Sequence, residues 1–310
     1  MSDQPIFHHF EASPFSEKIR LIFGLKRIAW YSVLVPRILP KPDLMPLTGG
    51  YRRTPVMQIG ADIFCDTQMI TRVLEARYPT PTLFPNGNAG LPWAVAMWTD
   101  KVVFASTVGL VFGSLGDRVP QSFIDDRSRM RGAPFDVKAM TAALPQLRDQ
   151  YRANVALIED QLAGNGSARP WLLGEPSLAD FTAYMNLWYV RSNLDTADAW
   201  LAEFPRVRDW ESRIRAIGHG ERSDLSGEAA LDIAAKATPA AAATGDAHDP
   251  SGRKAGDSVS VASDDFGGKG GIDGEIVSLS AQHIAIRRHD PRVGEVVLHF
   301  PRAGYIVKPV

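Results

Sequence analysis

The hydrophobic period of this chain changes twice, so it cannot be a single repeated layer. Up to about Pro85, short apolar runs alternate with helical stretches. From about Leu91 to Gly220 the pattern is helical throughout, and from Gly256 onward it falls to two. A length of 310 residues at roughly 150 per domain predicts two domains with little room for more than three. The period divides the chain into 1–85, 91–220 and 256–310, with a linker over 221–255.

In the first part, Ile6, Phe7 and Phe10 mark a strand within Pro5 to Phe10. Ser13-Pro14 opens a helix: a hydroxyl at the N-cap, proline at the first helical position, Glu17 in the first turn. Trp30 to Val35 reads as a second strand, and the Pro- and Gly-rich stretch Ile38 to Gly50 as irregular loop. Thr54 to Cys65 reads as two strands around Gly60-Ala61-Asp62, and Asp66-Thr67 as the cap of a helix from Gln68 to Arg77. The order is βαβ, then ββα.

The second part predicts one or two helices over Val95 to Leu115, then Lys138 to Leu162, Ser177 to Arg191 and Pro205 to Ile217. Gly116 to Phe135 reads as irregular. Ser177-Leu178-Ala179-Asp180 has the spacing of a capping box, with Asp one methylene shorter than the usual Glu. Its reading is structural. Past Gly220, an Ala-rich stretch broken by Pro239 and a polar Gly/Pro stretch read as linker. About five short strands follow, at Ser258 to Val261, Glu275 to Leu279, His283 to Arg287, Val296 to Phe300 and Tyr305 to Lys308. They suggest a small all-β module, barrel-like or SH3-like.

Charge and cysteine content narrow the function. Formal net charge is −1, without the basic excess that dominant nucleic-acid binding needs. The residues from Ala281 hold five Lys/Arg against two acids, while Glu221 to Ser280 holds eleven acids against five. A basic hairpin with Arg287, Arg288 and Arg292 can meet a polyanion, an acidic protein or the acidic linker, or be a solvated face. Paired aromatics for base stacking are absent, which argues against nucleic acid. The one cysteine, Cys65, reads as a buried strand residue in a reducing compartment. No basic or apolar leader pattern is visible at the start, and the apolar stretch Val102 to Leu115 is broken by Ser, Thr and Gly. It is shorter than the ~20 residues a membrane span needs. A cytoplasmic protein without a membrane segment is expected.

Three places can carry chemistry. Ser13 sits where a helix N-terminus offers unpaired N–H groups and positive dipole, which stabilise a thiolate; it can equally be only a cap. Thr54-Pro55-Val56 places a proline at a strand start, where a cis isomer would turn the next residue's backbone towards a ligand. Asp66 and Thr67 can hold an ammonium and a carboxylate together at a helix start. His8 and His9 lie near Ser13 without the spacing of a metal motif, and no metal is expected.

Taken in order, these elements resemble the cytosolic glutathione transferase superfamily over about residues 5–217, in a Ser-type, bacterial-like form. The resemblance implies a thioredoxin-like α/β glutathione-binding domain, then an all-α domain lining a hydrophobic-substrate pocket. The β module lies outside it. Ser13 matches the position that contacts glutathione sulfur, with Ser16, one turn further on, as its rival. Phe15 belongs to the same Ser-Pro-Phe motif. Val56, after Pro55, matches the residue whose backbone pairs with the cysteinyl unit. Asp66 and Thr67 match the pair that holds the γ-glutamyl group, and Ser177 and Asp180 match a folding-related capping box. Tyr51-Arg52-Arg53-Thr54-Pro55 departs from the Gly-Lys-Val-Pro of many relatives; Arg52 or Arg53, beside Thr54, can meet the glycyl carboxylate or be a solvated basic pair. Trp98, Phe104, Phe112 and Trp188 are equally pocket or core.

The implied activity is glutathione transfer. A Ser13 hydroxyl hydrogen bond favours the thiolate, which attacks an unidentified hydrophobic electrophile. Serine rather than cysteine argues against mixed-disulfide chemistry. The resemblance also implies a homodimer in detoxification. The alternatives are a non-catalytic scaffold that binds a partner through the β module, or a glutathione-dependent isomerase or lyase.

Overall fold

Pro14 has no N–H to leave unpaired and Ser13 caps the turn, so the first helix begins where the local chemistry allows. The computed structural model describes residues 4–164, 166–265 and 270–310. Its first seven elements are β1 (Ile6–His9), α1 (Pro14–Leu25), β2 (Ala29–Leu34), α2 (Met45–Thr48), β3 (Val56–Ile59), β4 (Asp62–Cys65) and α3 (Thr67–Arg77). β1 pairs β2 in parallel and β3 antiparallel, and β3 and β4 form a hairpin with Val56 opposite Cys65. The stretch expected as loop over 38–50 contains the single turn α2.

Side chains alternate across this sheet, as period two requires. Phe7, Met57 and Phe64 point into the core shared with α1, α3 and the helical half. Ile6, Val56, Ile63 and Cys65 point the other way, into a second core.

The helical half contains α4 (Gly90–Met97), a π-helical turn from Trp98 to Val103, α5 (Phe104–Leu115), α6 (Gln121–Arg131), α7 (Val137–Ala142), α8 (Leu144–Ala163), α9 (Leu178–Arg191), α10 (Ala197–Leu201) and α11 (Pro205–Ile217). Two expectations need correcting. Gly116 to Phe135 is not irregular throughout, because α6 forms within it, stopped by Gly132 in the left-handed conformation. Lys138 to Leu162 is two helices: Pro145 opens α8 at its first turn, so the chain bends between α7 and α8. Gly113 lets α7 approach α5, since a Cβ there would lie 2.6 Å from the Met140 carbonyl oxygen. The helical run Gly90–Arg118 is longer than its apolar stretch suggested, and by length and composition it could cross a membrane. Here it packs against α7, α8 and α9, with Leu110 and Val111 fully buried.

The segment after α11 is not a plain linker. β5 (Glu221–Asp224) pairs in parallel with β2, and α12 (Gly227–Ala235), capped by Ser226, buries Ala230, Leu231 and Ala234 in the second core. The alanine-rich composition that suggested a linker supplies the small face that lets α12 lie flat on the sheet. β6 (Ser258–Ser263), β7 (Ile272–Leu279), β8 (His283–Asp290), β9 (Gly294–Pro301) and β10 (Tyr305–Pro309) form an antiparallel unit in the order β10-β6-β7-β8-β9. That unit is not separate from the first domain. β9 pairs in parallel with β4, making one ten-stranded sheet, β10-β6-β7-β8-β9-β4-β3-β1-β2-β5.

Charged groups of the last strands pair within the fold. Arg292 bonds Asp232 of α12 at 2.7 Å, and Arg302 bonds Asp249 at 3.1 Å. Of the partners open to the basic hairpin, the acidic segment takes Arg292.

Buried histidines tie the layers together. Gln58 Nε2 donates to the carbonyls of Gly60 and Ala230, so its oxygen faces His8 and His8 Nε2 is the donor at 2.9 Å. His8 Nδ1 is left without a partner. His9 Nδ1 accepts from Arg20 at 3.1 Å, so its Nε2–H donates to Ser32. Arg20 also bonds the buried Glu17, which takes His219 on its other oxygen at 3.0 Å.

Burial lowers His8 to about 4 and, with the Arg20 charge next, His9 to about 3. Both pKa values lie below the ordinary 6.5, so the unfolded chain binds the extra protons. Stability is therefore lost as pH falls below the unfolded value, at about 1.4 kcal/mol per pH unit for each histidine. Urea unfolding at about pH 5 should show about 3 kcal/mol less stability than at about pH 7. Equal stability at the two pH values would show that these rings are not held neutral.

Candidate functional site

The start of α1 carries the first part of the site. Ser13, 2% exposed, accepts from the Ser16 amide at 3.2 Å through its side-chain oxygen. That bond uses a lone pair and leaves the hydroxyl proton for another acceptor. Ser16 Oγ is buried without a partner. Both hydroxyls stand at the positive end of the α1 dipole. Phe15 packs edge-on against Phe104 of α5 at 4.7 Å. Lys18 Nζ lies over the Phe15 ring and bonds Asp100 at 2.7 Å, and Asp100 also accepts from Thr182. The first turn of α1 is thus clamped to the π-helical turn of the helical half. Phe112 belongs to the core, whereas Phe104 touches the site through Phe15.

Val56 opens β3 with its side chain in the second core, opposite His8 on one side and Cys65 on the other. The Thr54–Pro55 peptide is cis, the isomer that the sequence leaves open. Thr54 Oγ1 accepts from Lys41 Nζ at 2.9 Å. Lys41 was not among the residues expected here, because its loop carries no motif. It is 3% exposed, also donates to the Arg52 carbonyl, and is lowered to about 8 by burial and then by the Arg127 and Arg52 charges.

Asp66 caps α3, with Oδ1 accepting from the Gln68 amide at 2.8 Å. Its φ is +76° with ψ 142°, a conformation that non-glycine residues adopt only where their surroundings impose it. Its pKa is raised by burial and held down by the Gln68 amide and the Lys18 charge. Thr67 is the first residue of α3 and is buried. α1 packs against α3, so the Ser13 and Asp66 ends belong to one layer.

The two arginines divide. Arg52 pairs with buried Asp126 of α6 at 2.5 Å, which joins the loop to the helical half. Arg53 is held by both oxygens of Asp265, with Nη1 to Oδ2 at 3.0 Å. Neither is a plain solvated pair. Two tyrosines also enter: Tyr305 of β10 donates to Asp66 Oδ2 at 3.1 Å, and its oxygen lies 3.3 Å from that of Tyr51. No local signal could have found Tyr305 or Asp265, since both reach the site from more than 200 residues away. Among the described residues, no group of three or more His, Cys, Asp or Glu is arranged to hold a metal.

Ser177 and Asp180 form the capping box, Asp180 Oδ2 accepting from the Ser177 amide at 3.0 Å. Asp180 Oδ1 also takes the Leu172 amide and the Trp210 indole N–H, so it knits α9 to α11.

Comparison with known proteins decides the family. The glutathione S-transferase N-terminal domain profile matches residues 7–82, and the C-terminal domain profile residues 141–213. A GST-like protein from Pseudomonas syringae is 37% identical, with both chains fully covered and a TM-score of 0.82. The chain belongs to the glutathione S-transferase family. The Pseudomonas relative therefore matches the C-terminal strands as well. FtsZ-localized protein A of Caulobacter vibrioides (strain NA1000 / CB15N) is 25% identical over 223 residues, 70% of this chain and 89% of that protein. A tau-class glutathione S-transferase from mango, 16% identical, covers 70% of this chain and 90% of its own with a TM-score of 0.54, and shares the fold.

The buried Asp180 predicts a structural phenotype. Asp180→Ala leaves the Trp210 indole and two backbone amides without acceptors, and should cost about 3 kcal/mol in urea unfolding. A loss below about 1 kcal/mol would show that these bonds do not hold α9 to α11.

Proposed function

We propose that this chain is a glutathione transferase in which Ser13 donates its hydroxyl proton to the sulfur of glutathione. The observation that carries this reading is the Ser13 side chain: its oxygen is used as the N-cap, its proton is left over, and it stands at the positive end of α1. A thiolate placed there gains a hydrogen bond and a favourable dipole, which lowers the thiol pKa towards neutrality. The sulfur then forms a bond to an electrophilic carbon of a hydrophobic substrate, and the leaving group departs with the bonding pair. Val56 offers its backbone to the cysteinyl unit, while Asp66 and Thr67 hold the γ-glutamyl end. Arg53 and Thr54 serve the remaining carboxylate, and Phe15 bounds the sulfur. Ser16, whose buried oxygen has no partner, is the rival for the sulfur contact. The reading includes a cytoplasmic homodimer acting in detoxification.

A second reading, a binding scaffold without turnover, has two supports. One is the relative described as FtsZ-localized. The other is that Arg53 and Asp66 already have partners within the chain.

Calorimetry with millimolar glutathione separates the two, because the transferase must bind it. Ser13→Ala should then lower turnover of a general electrophile about tenfold or more and raise the pKa of the bound thiol. If Ser13→Ala leaves both unchanged and Ser16→Ala does not, Ser16 holds the sulfur. If no glutathione binds, the scaffold reading stands.

A further inference from the structure

The two charged groups assigned to the ends of glutathione are both engaged by the C-terminal strands. Tyr305 donates to Asp66 Oδ2 at 3.1 Å. A phenol has one proton, so Tyr51 must be the donor in the 3.3 Å bond between the two hydroxyls. Asp265 grips Arg53 with both of its oxygens. Tyr51, whose oxygen meets that of Tyr305, lies two residues before Arg53 in the chain, which brings the two pairs to the same part of the fold.

The turn that leads into Tyr305 is fastened to α3, and so is the turn between β7 and β8. Gln68 Nε2 donates to the Ala303 carbonyl at 3.3 Å, and Arg72 Nη1 to Gln282 at 2.6 Å. The parallel pairing of β9 with β4 explains the placement. β4 ends at Cys65, one residue before Asp66, and β9 runs the same way, so the turn into β10 arrives beside Asp66.

Chemically, the strands present a hydrogen-bond donor to the site's carboxylate and a carboxylate to its guanidinium. Glutathione offers the same two complements from its two ends, the γ-glutamyl ammonium for Asp66 and the glycyl carboxylate for Arg53. The Arg53 side chain is 28% exposed and Asp265 48%, so a small ligand can reach the pair from solvent and exchange with it. Exposed pairs of this kind are individually weak.

We propose that the C-terminal strands are an intramolecular competitor for the glutathione site: Tyr305 and Asp265 occupy Asp66 and Arg53 in the free protein, and a γ-glutamyl ligand binds by displacing them. This rests on the glutathione reading above and adds its regulation. The strands set a threshold that ligand concentration must exceed.

The test is calorimetric titration of reduced glutathione into the full chain, Tyr305→Phe, Asp265→Asn and the double variant, with circular dichroism to confirm that each is folded. Asp265→Asn should tighten Kd about threefold and Tyr305→Phe about tenfold, with the double variant near the product. In the unsubstituted chain, saturating glutathione should speed hydrogen exchange of the amides in 305–309. Binding that is detectable only in the variants also supports the competition. If the unsubstituted chain binds and both single variants bind equally or more weakly, the competition is overturned and the glutathione reading survives. Protection of 305–309 on binding overturns it too, because β10 would then be a ligand contact. If none of the four proteins binds, both the glutathione reading and the competition fall.

Discussion

The free edge of β4 is the constraint on which the rest of this structure depends. An open edge presents a row of unpaired amides and carbonyls, and a fold must cover it, blunt it or pair it. Here it is paired by β9 in parallel register, Asp62 with Val297, Ile63 with Leu298 and Phe64 with His299. The seam is reinforced by side chains. His299 Nε2 donates to Asp62 at 2.9 Å, and its Nδ1 lies 3.0 Å from His283 Nε2. The opposite edge, β2, is covered by β5. Both ends of the thioredoxin-like sheet are therefore closed by residues beyond the helical half. Because β4 leads straight into Asp66, whatever pairs with β4 necessarily becomes a neighbour of the site.

The second face of the sheet follows from the same arrangement. A sheet with a helical layer on one side only would leave Ile6, Val56, Ile63 and Cys65 in water, and α2 is a single turn. α12 fills that role, with Ala230, Leu231 and Ala234 in the same core as Val259, Val261 and Phe300 from the appended strands. At about 25 cal/mol per Å² of apolar surface, burial of this face gives the appended segment its own reason to stay docked. The hydrogen bonds from Gln58 to the Ala230 carbonyl and from the Ala240 amide to Asp62 then fix its register. The orphan His8 Nδ1 is a cost accepted within this layer.

Much of the first 220 residues was legible because their signals are local. Ser13-Pro14 names a helix start, Gly60-Ala61 a hairpin, and Ser177 with Asp180 a capping box, each within a few residues. The period-two pattern after Gly256 likewise gave the five strands. What stayed hidden was distant pairing. Residues 221–224 have no apolar alternation, so nothing local marks them as a strand; they become one because β2 offers an edge. Alanine-rich 229–243 reads as flexible when taken alone, and its first part, up to Ala235, becomes a helix face only against the sheet. α6 is strongly polar, and its place is set by Asp126 meeting Arg52. At the site, Ser13 and Asp66 were legible locally as helix caps and Pro55 as a strand-start proline, and the roles expected of them came from the family resemblance. Tyr305, Asp265 and Lys41 did not, since their relevance is created by tertiary contact.

Asp66 joins α3 to the last strand. One carboxylate oxygen holds the first turn of α3 and the other holds β10. Its backbone sits at φ +76°, a strain of the order of 1–3 kcal/mol that surrounding structure must offset. Cap and strand contact both contribute to that offset, so Asp66 bears on how α3 and the last strand are anchored. Binding chemistry at Asp66 is therefore coupled to the docking of β10 through one side chain, with no longer pathway needed. Under the competition proposed above, a ligand that takes Oδ2 from Tyr305 leaves Oδ1 capping α3, so the exchange does not require that helix to unfold.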